Sequence, residues 1–132
     1  MIGRGPGAWV LAFGLAASAV SQAAAPAVAQ AEIDYLLAAI AQSGCQFNRN
    51  GTWYDGTPAV AHLQSKYSYL VTRDAIRTAD DFIEMAASRS SMTGSPYWIS
   101  CSGATPIQSG HWLKDQLTAY RHLNSVPSRS GP

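Results

Sequence analysis

The sequence predicts a small α+β domain, in which an antiparallel sheet of two to three strands is packed on one face by three to four helices. Three observations lead to this fold class. An Asn-Gly pair follows a segment of alternating apolar and polar residues and precedes two aromatic residues. Four other segments carry apolar residues at helical spacing, and two cysteines lie where they can join two strands.

The central strand of the predicted sheet begins in the segment 45–54, whose sequence is CQFNRNGTWY. Asn-Gly favours a type I′ hairpin because both central residues of that turn must adopt positive φ. A two-residue turn also fixes the register, so that Phe47 faces Tyr54. Cys45, Phe47 and Tyr54 then share one face of the sheet, and we expect this face to meet the core.

The first predicted helix runs from about Glu32 to Ser43, where apolar residues recur at helical spacing. Gly44 follows it and supplies the positive φ that commonly ends a helix. The Ala/Pro-rich residues 24–31 are expected to be disordered. A second helix is predicted after the hairpin, with Thr57 as its N-cap and Pro58 as its first helical residue.

A third helix is predicted to begin at Thr78, where Asp81 occupies the capping-box position. Residues 97–101 alternate as a strand, and residues 102–108 form a Gly/Pro loop by composition. Ser109 is then expected to cap a last helix.

Cys45 and Cys101 are the only cysteines, and an even count in an exported protein predicts a disulfide. If the two strands are antiparallel with the cysteines opposite each other, Ile99 faces Phe47. The apolar alternation and the disulfide therefore predict the same register. Two cysteines without nearby histidines do not have zinc-ligand spacing, so no metal and no cofactor are expected.

The N-terminal residues 1–29 have the features of a signal peptide. Arg4 gives a weakly positive start, residues 9–20 are apolar, and small residues allow cleavage after Ala23 or Ala29. The apolar run is shorter than the roughly 20 residues that a membrane-spanning helix needs. We therefore expect export to the periplasm, with no membrane span after cleavage; the alternatives are a membrane anchor or a hydrophobic N-terminal helix.

The organisation expected after cleavage is a single domain at residues 32–123 and a disordered tail at 124–132. The chain has 9 basic and 8 acidic residues, so loss of Arg4 leaves no net charge. A neutral domain has no long-range field to attract nucleic acid or an anionic membrane, and neither is an expected partner.

From residue 32 to about residue 121 the chain resembles the YfeK-like family of small uncharacterised periplasmic proteins, a domain of unknown function. The segments that carry the resemblance are Phe47-x-Arg49-Asn50-Gly51, Ala61-His62-Leu63-x-x-Lys66, Thr78-Ala79-x-x-Phe82-Ile83 and Ala87-Ser88-x-Ser90-Ser91-x-Thr93-Gly94-x-Pro96-Tyr97. The resemblance implies export in a Gram-negative bacterium and a common fold. It implies no activity.

Arg49, His62 and Lys66 are the candidate ligand-binding residues. A histidine one helical turn from a lysine, near the end of the hairpin strand, can hold a carboxylate or phosphate. The register that pairs the cysteines also sets Tyr97 against Arg49. Alternatively, His62 bonds a backbone carbonyl, Lys66 is solvated, and Arg49 pairs with Asp55 or an acid of the first helix.

Ser90 or Ser91 with His62 as base would make a minor hydrolase, but no G-x-S-x-G elbow surrounds these serines and no catalytic residue is assigned. Trp53 and Trp98 lie on the sheet face opposite the predicted core. They form a contact surface if helices cover one face only, and belong to a core if helices cover both.

The sequence thus predicts an exported, disulfide-stabilised protein that acts by binding rather than by catalysis. Its expected partner is an unknown periplasmic protein or a small anionic ligand. Two alternatives remain open: an inhibitor or accessory subunit of a cell-envelope enzyme, and the minor hydrolase.

Overall fold

The computed structural model describes residues 24–125, together with Gly7 and Gly14. It is an α+β fold, as predicted. Its elements in chain order are α1 (Ala27–Gln42), β1 (Gln46–Arg49), β2 (Thr52–Tyr54), α2 (Gly56–Val71), α3 (Ala79–Phe82) continued by a π-helical turn (Ile83–Ala87), β3 (Trp98–Ser100), β4 (Ile107–Gln108) and α4 (Ser109–Ser125).

The sheet is antiparallel with strand order β2-β1-β3-β4, so β1 lies inside it as predicted. Its register is also the predicted one, because Phe47 pairs with both Tyr54 and Ile99. The sheet has four strands rather than two to three. The missed strand, β4, has only two residues and lies in the segment predicted as loop, too short for an alternating pattern to reveal it.

The β1–β2 turn has the backbone that the Asn-Gly pair predicts. Asn50 has a φ of 52° and Gly51 a φ of 88°, the two positive values of a type I′ turn. Gly44, with a φ of 67°, ends the first helix as expected.

The core lies between the helices and the Phe47 face of the sheet. Phe47 and Ile99 contribute from the two inner strands, and the helices contribute Ile33, Leu36, Ile40, Phe82, Leu113 and Leu117, among others. The opposite face of the sheet carries Trp53 and Trp98, which are 43% and 37% exposed. Both indoles are therefore partly exposed, as expected if helices cover only one face of the sheet.

Two long-range connections join segments that are distant in the sequence. Cys45 and Cys101 form the predicted disulfide across β1 and β3. Arg121 of α4 donates two hydrogen bonds to Glu32 of α1, at 2.6 and 3.0 Å, and a third to Asp80 at 3.2 Å. These bonds tie the last helix to the first.

The first helix begins at Ala27, five residues before the predicted start, so the expectation of disorder at 24–31 is wrong from that residue onward. Ala29 is buried in the core face of α1, which extends the apolar stripe by one turn. The alanine- and proline-rich composition concealed this turn, because alanine has the highest helix propensity yet contributes little to an apolar pattern.

The second helix begins at Gly56, and Asp55 rather than Thr57 is its N-cap residue. Pro58 lies in the first turn, where its missing N–H removes no helical hydrogen bond. A Cβ on Gly56 would lie 2.7 Å from the carbonyl oxygen of Ile40. Glycine therefore allows the start of α2 to pack directly against the end of α1.

The third and fourth helices differ from the prediction in two details. Thr78 and Asp81 form the predicted capping box, but the helix becomes a π-helical turn after Phe82. Ser109 does not cap α4 through its side chain: it is the first residue of the helix, and its buried hydroxyl has no hydrogen-bond partner within the part of the chain that the structure describes.

The helix α4 extends to Ser125, so it includes the first two residues of the predicted tail. The rest of that tail and most of the predicted signal peptide lie outside the described residues. No helix within residues 24–125 has both the length and the apolar character that crossing a bilayer requires.

Candidate functional site

Arg49, His62 and Lys66 come together around the hydroxyl of Tyr97. Arg49 ends β1, next to the hairpin turn, and His62 and Lys66 lie one turn apart on α2. Asp55 alone separates β2 from α2, so the helix packs back on its own hairpin. The structure thus brings the three predicted residues together, and we call Arg49, His62, Lys66 and Tyr97 the cationic cluster.

The hydrogen bonds of the cluster assign the protonation state of His62. The Nη1 group of Arg49 contacts Nδ1 of His62, and a guanidinium can only donate. Nδ1 therefore accepts, the proton lies on Nε2, and the ring is neutral. Nε2 donates to the hydroxyl oxygen of Tyr97 at 3.2 Å. Both ring nitrogens of His62 are thus engaged by side chains, and neither bonds the backbone carbonyl of the alternative interpretation.

Lys66 is half-buried and is held from two sides. Its Nζ donates to the carbonyl oxygen of Arg89 at 3.0 Å and to the Tyr97 hydroxyl at 3.2 Å. It also lies 5.1 Å from the centre of the Tyr97 ring, within range of a cation–π interaction. Lys66 is therefore held in position by protein groups, while part of its side chain stays exposed to solvent.

Arg49 is held by His62, as described above, and by Tyr54. Its Nη2 donates to the Tyr54 hydroxyl at 3.3 Å, and its guanidinium carbon lies 4.9 Å from the centre of the Tyr54 ring. Asp55, an alternative partner for Arg49, instead accepts a hydrogen bond from the side chain of Gln46. The arginine is oriented by neutral groups.

The cluster carries two positive charges without a carboxylate to balance them. Among the described residues, the ion pairs involve Arg77, Arg121 and His111, and none involves Arg49 or Lys66. Burial, then repulsion from Arg49, lowers the pKa of Lys66. Burial followed by repulsion from both cations lowers the pKa of His62, in agreement with its neutral ring.

The site shifts the pKa values of its two tyrosines in opposite directions. The hydrogen bond from Arg49 lowers the pKa of Tyr54. Burial raises the pKa of Tyr97, and the charge of Arg49 opposes that rise. Tyr97 therefore stays a neutral hydroxyl that accepts hydrogen bonds from the cluster.

A surface groove of about 420 Å³ runs beside the cluster. Its lining includes the loop at residues 90–92 and the hairpin residues Asn50 and Thr52. Asn50 connects the hairpin turn to the loop that follows Arg89. Its amide nitrogen donates to Ser90 at 3.3 Å and its amide oxygen accepts from Thr93 at 2.8 Å. Hydrogen bonds to the hairpin turn therefore hold the loop that lines the groove.

The serines of the hydrolase alternative do not form a nucleophile–base pair with His62. The hydroxyl oxygen of Ser90 accepts from the backbone N–H groups of Met92 and Thr93 and from Asn50, which is the geometry of a turn-stabilising residue. Ser91 is exposed and bonds no histidine. Within residues 24–125 there is also no group of three or more side chains with the arrangement of a metal site.

Sequence reasoning assigned no role in the site to Tyr54 or Tyr97. The predicted register sets Tyr97 against Arg49, but the position of Tyr97 on an apolar face indicates only a core residue. Tyr54 was placed on the same face by the hairpin register. A tyrosine on a core face usually finds a hydrogen-bond partner for its hydroxyl, and a neighbouring cation can be that partner.

Together, the fold and the cluster define a small, disulfide-bonded α+β protein with a cationic groove. The chain belongs to a family of unknown function (DUF5329), which it matches over residues 27–121. It is 44% identical over 69 residues to the uncharacterised protein YfeK of Salmonella typhimurium (strain LT2). That match covers 52% of this chain and spans 56% of the length of YfeK. No solved structure matches the chain.

Proposed function

We propose that this protein is an exported, periplasmic binding protein that accepts a small anion at Arg49 and Lys66. The anionic group is a carboxylate or a phosphate. One observation carries the proposal: two cations are fixed on a groove by neutral partners, and no carboxylate among the described residues pairs with either of them.

Two fixed cations that repel each other favour an anionic ligand, because the anion replaces that repulsion with two attractions. Arg49 supplies a planar fork that suits a carboxylate or phosphate, and Lys66 supplies a compact charge with free donor capacity. His62 accepts from Arg49 and donates to Tyr97. We assign it the role of orienting the guanidinium, so it contributes to anion binding indirectly.

The test is binding of acetate and of inorganic phosphate by isothermal titration calorimetry, supported by ligand-induced thermal stabilisation. Arg49→Gln and Lys66→Gln should each weaken binding roughly ten- to a hundredfold, since a hydrogen bond to a charged group contributes about 1.5–3 kcal/mol. Arg73→Gln is the matched control, because Arg73 is an exposed cation just beyond the end of the same helix.

Two results would refute the proposal: no heat with either anion, or an equal loss of affinity in the Arg73→Gln control. In the first case the cations have a structural role only. In the second, binding follows the overall charge and has no site.

Two features support the proposed export to the periplasm. The disulfide is of the kind that persists in oxidising compartments, and the sequence begins with an apolar run that resembles a signal peptide. Fractionation of a Gram-negative host that expresses the full chain with a C-terminal tag should recover the processed protein in the periplasm. Recovery of unprocessed protein in the cytoplasm would contradict this.

A second candidate function is that of an inhibitor or accessory subunit of a cell-envelope enzyme. It is favoured by Trp53 and Trp98, which flank Asn48 on neighbouring strands and leave their indoles partly exposed. A pull-down from periplasmic extract should then recover an enzyme with the wild-type protein and lose it with a Trp53→Ser, Trp98→Ser variant. Equal recovery with both would remove this candidate.

A further inference from the structure

An apolar cavity of about 110 Å³ lies under the cationic cluster, on the core side. Its apolar walls come from the end of α1, from β1 and α2, from the π-helical turn and from the start of α4: Ile40, Phe47, Ala59, Leu63, Ala87 and Leu113. Well-packed interiors contain few spaces larger than a water molecule, so a partly open cavity of this size that reaches core residues requires an explanation.

The cavity and the surface groove share four lining residues. Arg49, Tyr54, His62 and Tyr97 line both spaces, so the cluster lies between the apolar cavity and the groove that opens to solvent. A molecule bound at this point would meet two cations at one end and apolar side chains at the other.

Ser109 adds an independent observation. It is only 4% exposed, it lines the cavity, and its hydroxyl has no hydrogen-bond partner among the described residues. A buried hydroxyl without a partner is costly, and each one in a native protein requires an explanation such as a functional role or a bound water. The backbone N–H of Ser109 donates to the carbonyl of Tyr97 at 2.9 Å, so this wall is attached directly to the cluster.

We infer that the ligand is a short aliphatic monocarboxylate, whose charged group binds Arg49 and Lys66 and whose hydrocarbon part enters the cavity. This inference rests on the proposed function and specifies its ligand class. A cation pair alone accepts any small anion. The cavity restricts the choice to an anion with a compact apolar body.

The volume of the cavity sets the size of that body. An engineered protein cavity of about 150 Å³ holds benzene, which has six carbon atoms. In proportion, 110 Å³ accommodates about four carbons beyond the carboxylate. Pentanoate fits this limit, whereas octanoate exceeds it.

The test compares acetate, pentanoate, octanoate and pentan-1-ol by titration calorimetry on the wild-type protein. Each methylene moved from water to the cavity should increase affinity about fourfold, so pentanoate should bind roughly fiftyfold more tightly than acetate. Octanoate should gain little beyond pentanoate, and pentan-1-ol should bind more weakly because it lacks the charge.

A cavity-filling variant gives a second measurement. Ala59 lines the cavity, and Ala61 is exposed on the same helix outside it. Ala59→Leu should remove the preference for pentanoate while acetate binding persists, and Ala61→Leu should leave both unchanged. If Ala59→Leu does not fold, the chain-length series on the wild type still tests the inference.

The outcomes separate the inference from the function on which it rests. If acetate binds and pentanoate binds no more tightly, the inference is overturned and the anion site stands. If pentan-1-ol binds as tightly as pentanoate, or if affinity keeps rising through octanoate, the inference is also overturned. If neither acetate nor pentanoate binds, the proposed function itself fails.

Discussion

Replacing Phe47 with alanine tests the arrangement of sheet and helices most directly. Phe47 is 8% exposed at the centre of the inner strand β1, and its ring meets Trp112 of α4 edge-on, with 6.3 Å between ring centres. Truncating a buried phenylalanine to alanine typically costs about 3–5 kcal/mol. Part of this, about 0.5–1.5 kcal/mol, is the aromatic edge contact.

The structure places the expected loss in the upper part of that range, at about 4–5 kcal/mol. The cost of a truncation increases with the volume left empty, and Phe47 already borders the 110 Å³ cavity. The space vacated by the ring would therefore merge with an existing one, and the neighbours could not close around it. For a domain with a total stability on the order of 5–15 kcal/mol, this is a large fraction.

Gln46→Ala is the matched control, one residue away on the opposite face of the same strand. Gln46 is exposed and makes one side-chain hydrogen bond, to Asp55, so its loss should cost less than about 1 kcal/mol. In urea denaturation followed by circular dichroism, Phe47→Ala should lower the midpoint by roughly 2 M if the slope is about 2 kcal/mol per M. Equal midpoints for the two variants would refute the assignment of the core face.

Two further predictions concern His62 and the disulfide. The folded protein holds the pKa of His62 below that of the unfolded chain, so the unfolded chain binds the extra proton and stability should fall as pH drops below about 6.5. Thermal melts between about pH 5 and pH 8 should show this decrease, His62→Gln should flatten it, and a variant of the exposed His111 should retain it; an unchanged profile in His62→Gln would contradict the assignment. Reduction of Cys45–Cys101, which are 56 residues apart, should cost about 4 kcal/mol on the chain-entropy estimate, measured by denaturation with and without a reductant. A midpoint that does not change on reduction would contradict a stabilising role for the bridge.

The sheet could be predicted well because short-range signals and one long-range link specify the same register. The Asn50-Gly51 turn fixes β1 against β2, and the disulfide fixes β1 against β3. Each depends on stereochemistry that the sequence displays directly, either a positive φ or a covalent bond. The capping box at Thr78 is readable for the same reason.

The missed features depend on tertiary packing. The strand β4 is two residues long and exists because it pairs with β3. The π-helical turn after Phe82 has no local sequence signature, and neither has the first turn of α1, which is held by packing of Ala29. No pattern of single residues encodes these contacts.

The candidate site also combines features that local sequence signals predict with features that depend on tertiary packing. The convergence of Arg49, His62 and Lys66 follows from a tight hairpin and a connection of one residue, both visible in the sequence. The hydrogen bonds through Tyr97 and the cavity bordered by Ser109 require the packed positions of α2 and α4. These determine what the site can bind, and only the structure supplies them.

Several unfavourable features of the described residues lie close together. Two cations without an acidic partner, a neutral histidine held between them, an unpartnered buried hydroxyl and an apolar cavity all adjoin Tyr97 or its neighbours. Each of these features costs stability on its own, through repulsion, desolvation or lost dispersion contacts. In a domain that depends on a disulfide and a small core, such costs are tolerated where they serve binding, because natural sequences depart from locally consistent choices mainly at functional sites. A single amphipathic anion would reduce several of these costs at once: its charge would offset the repulsion, and its hydrocarbon part would fill the cavity.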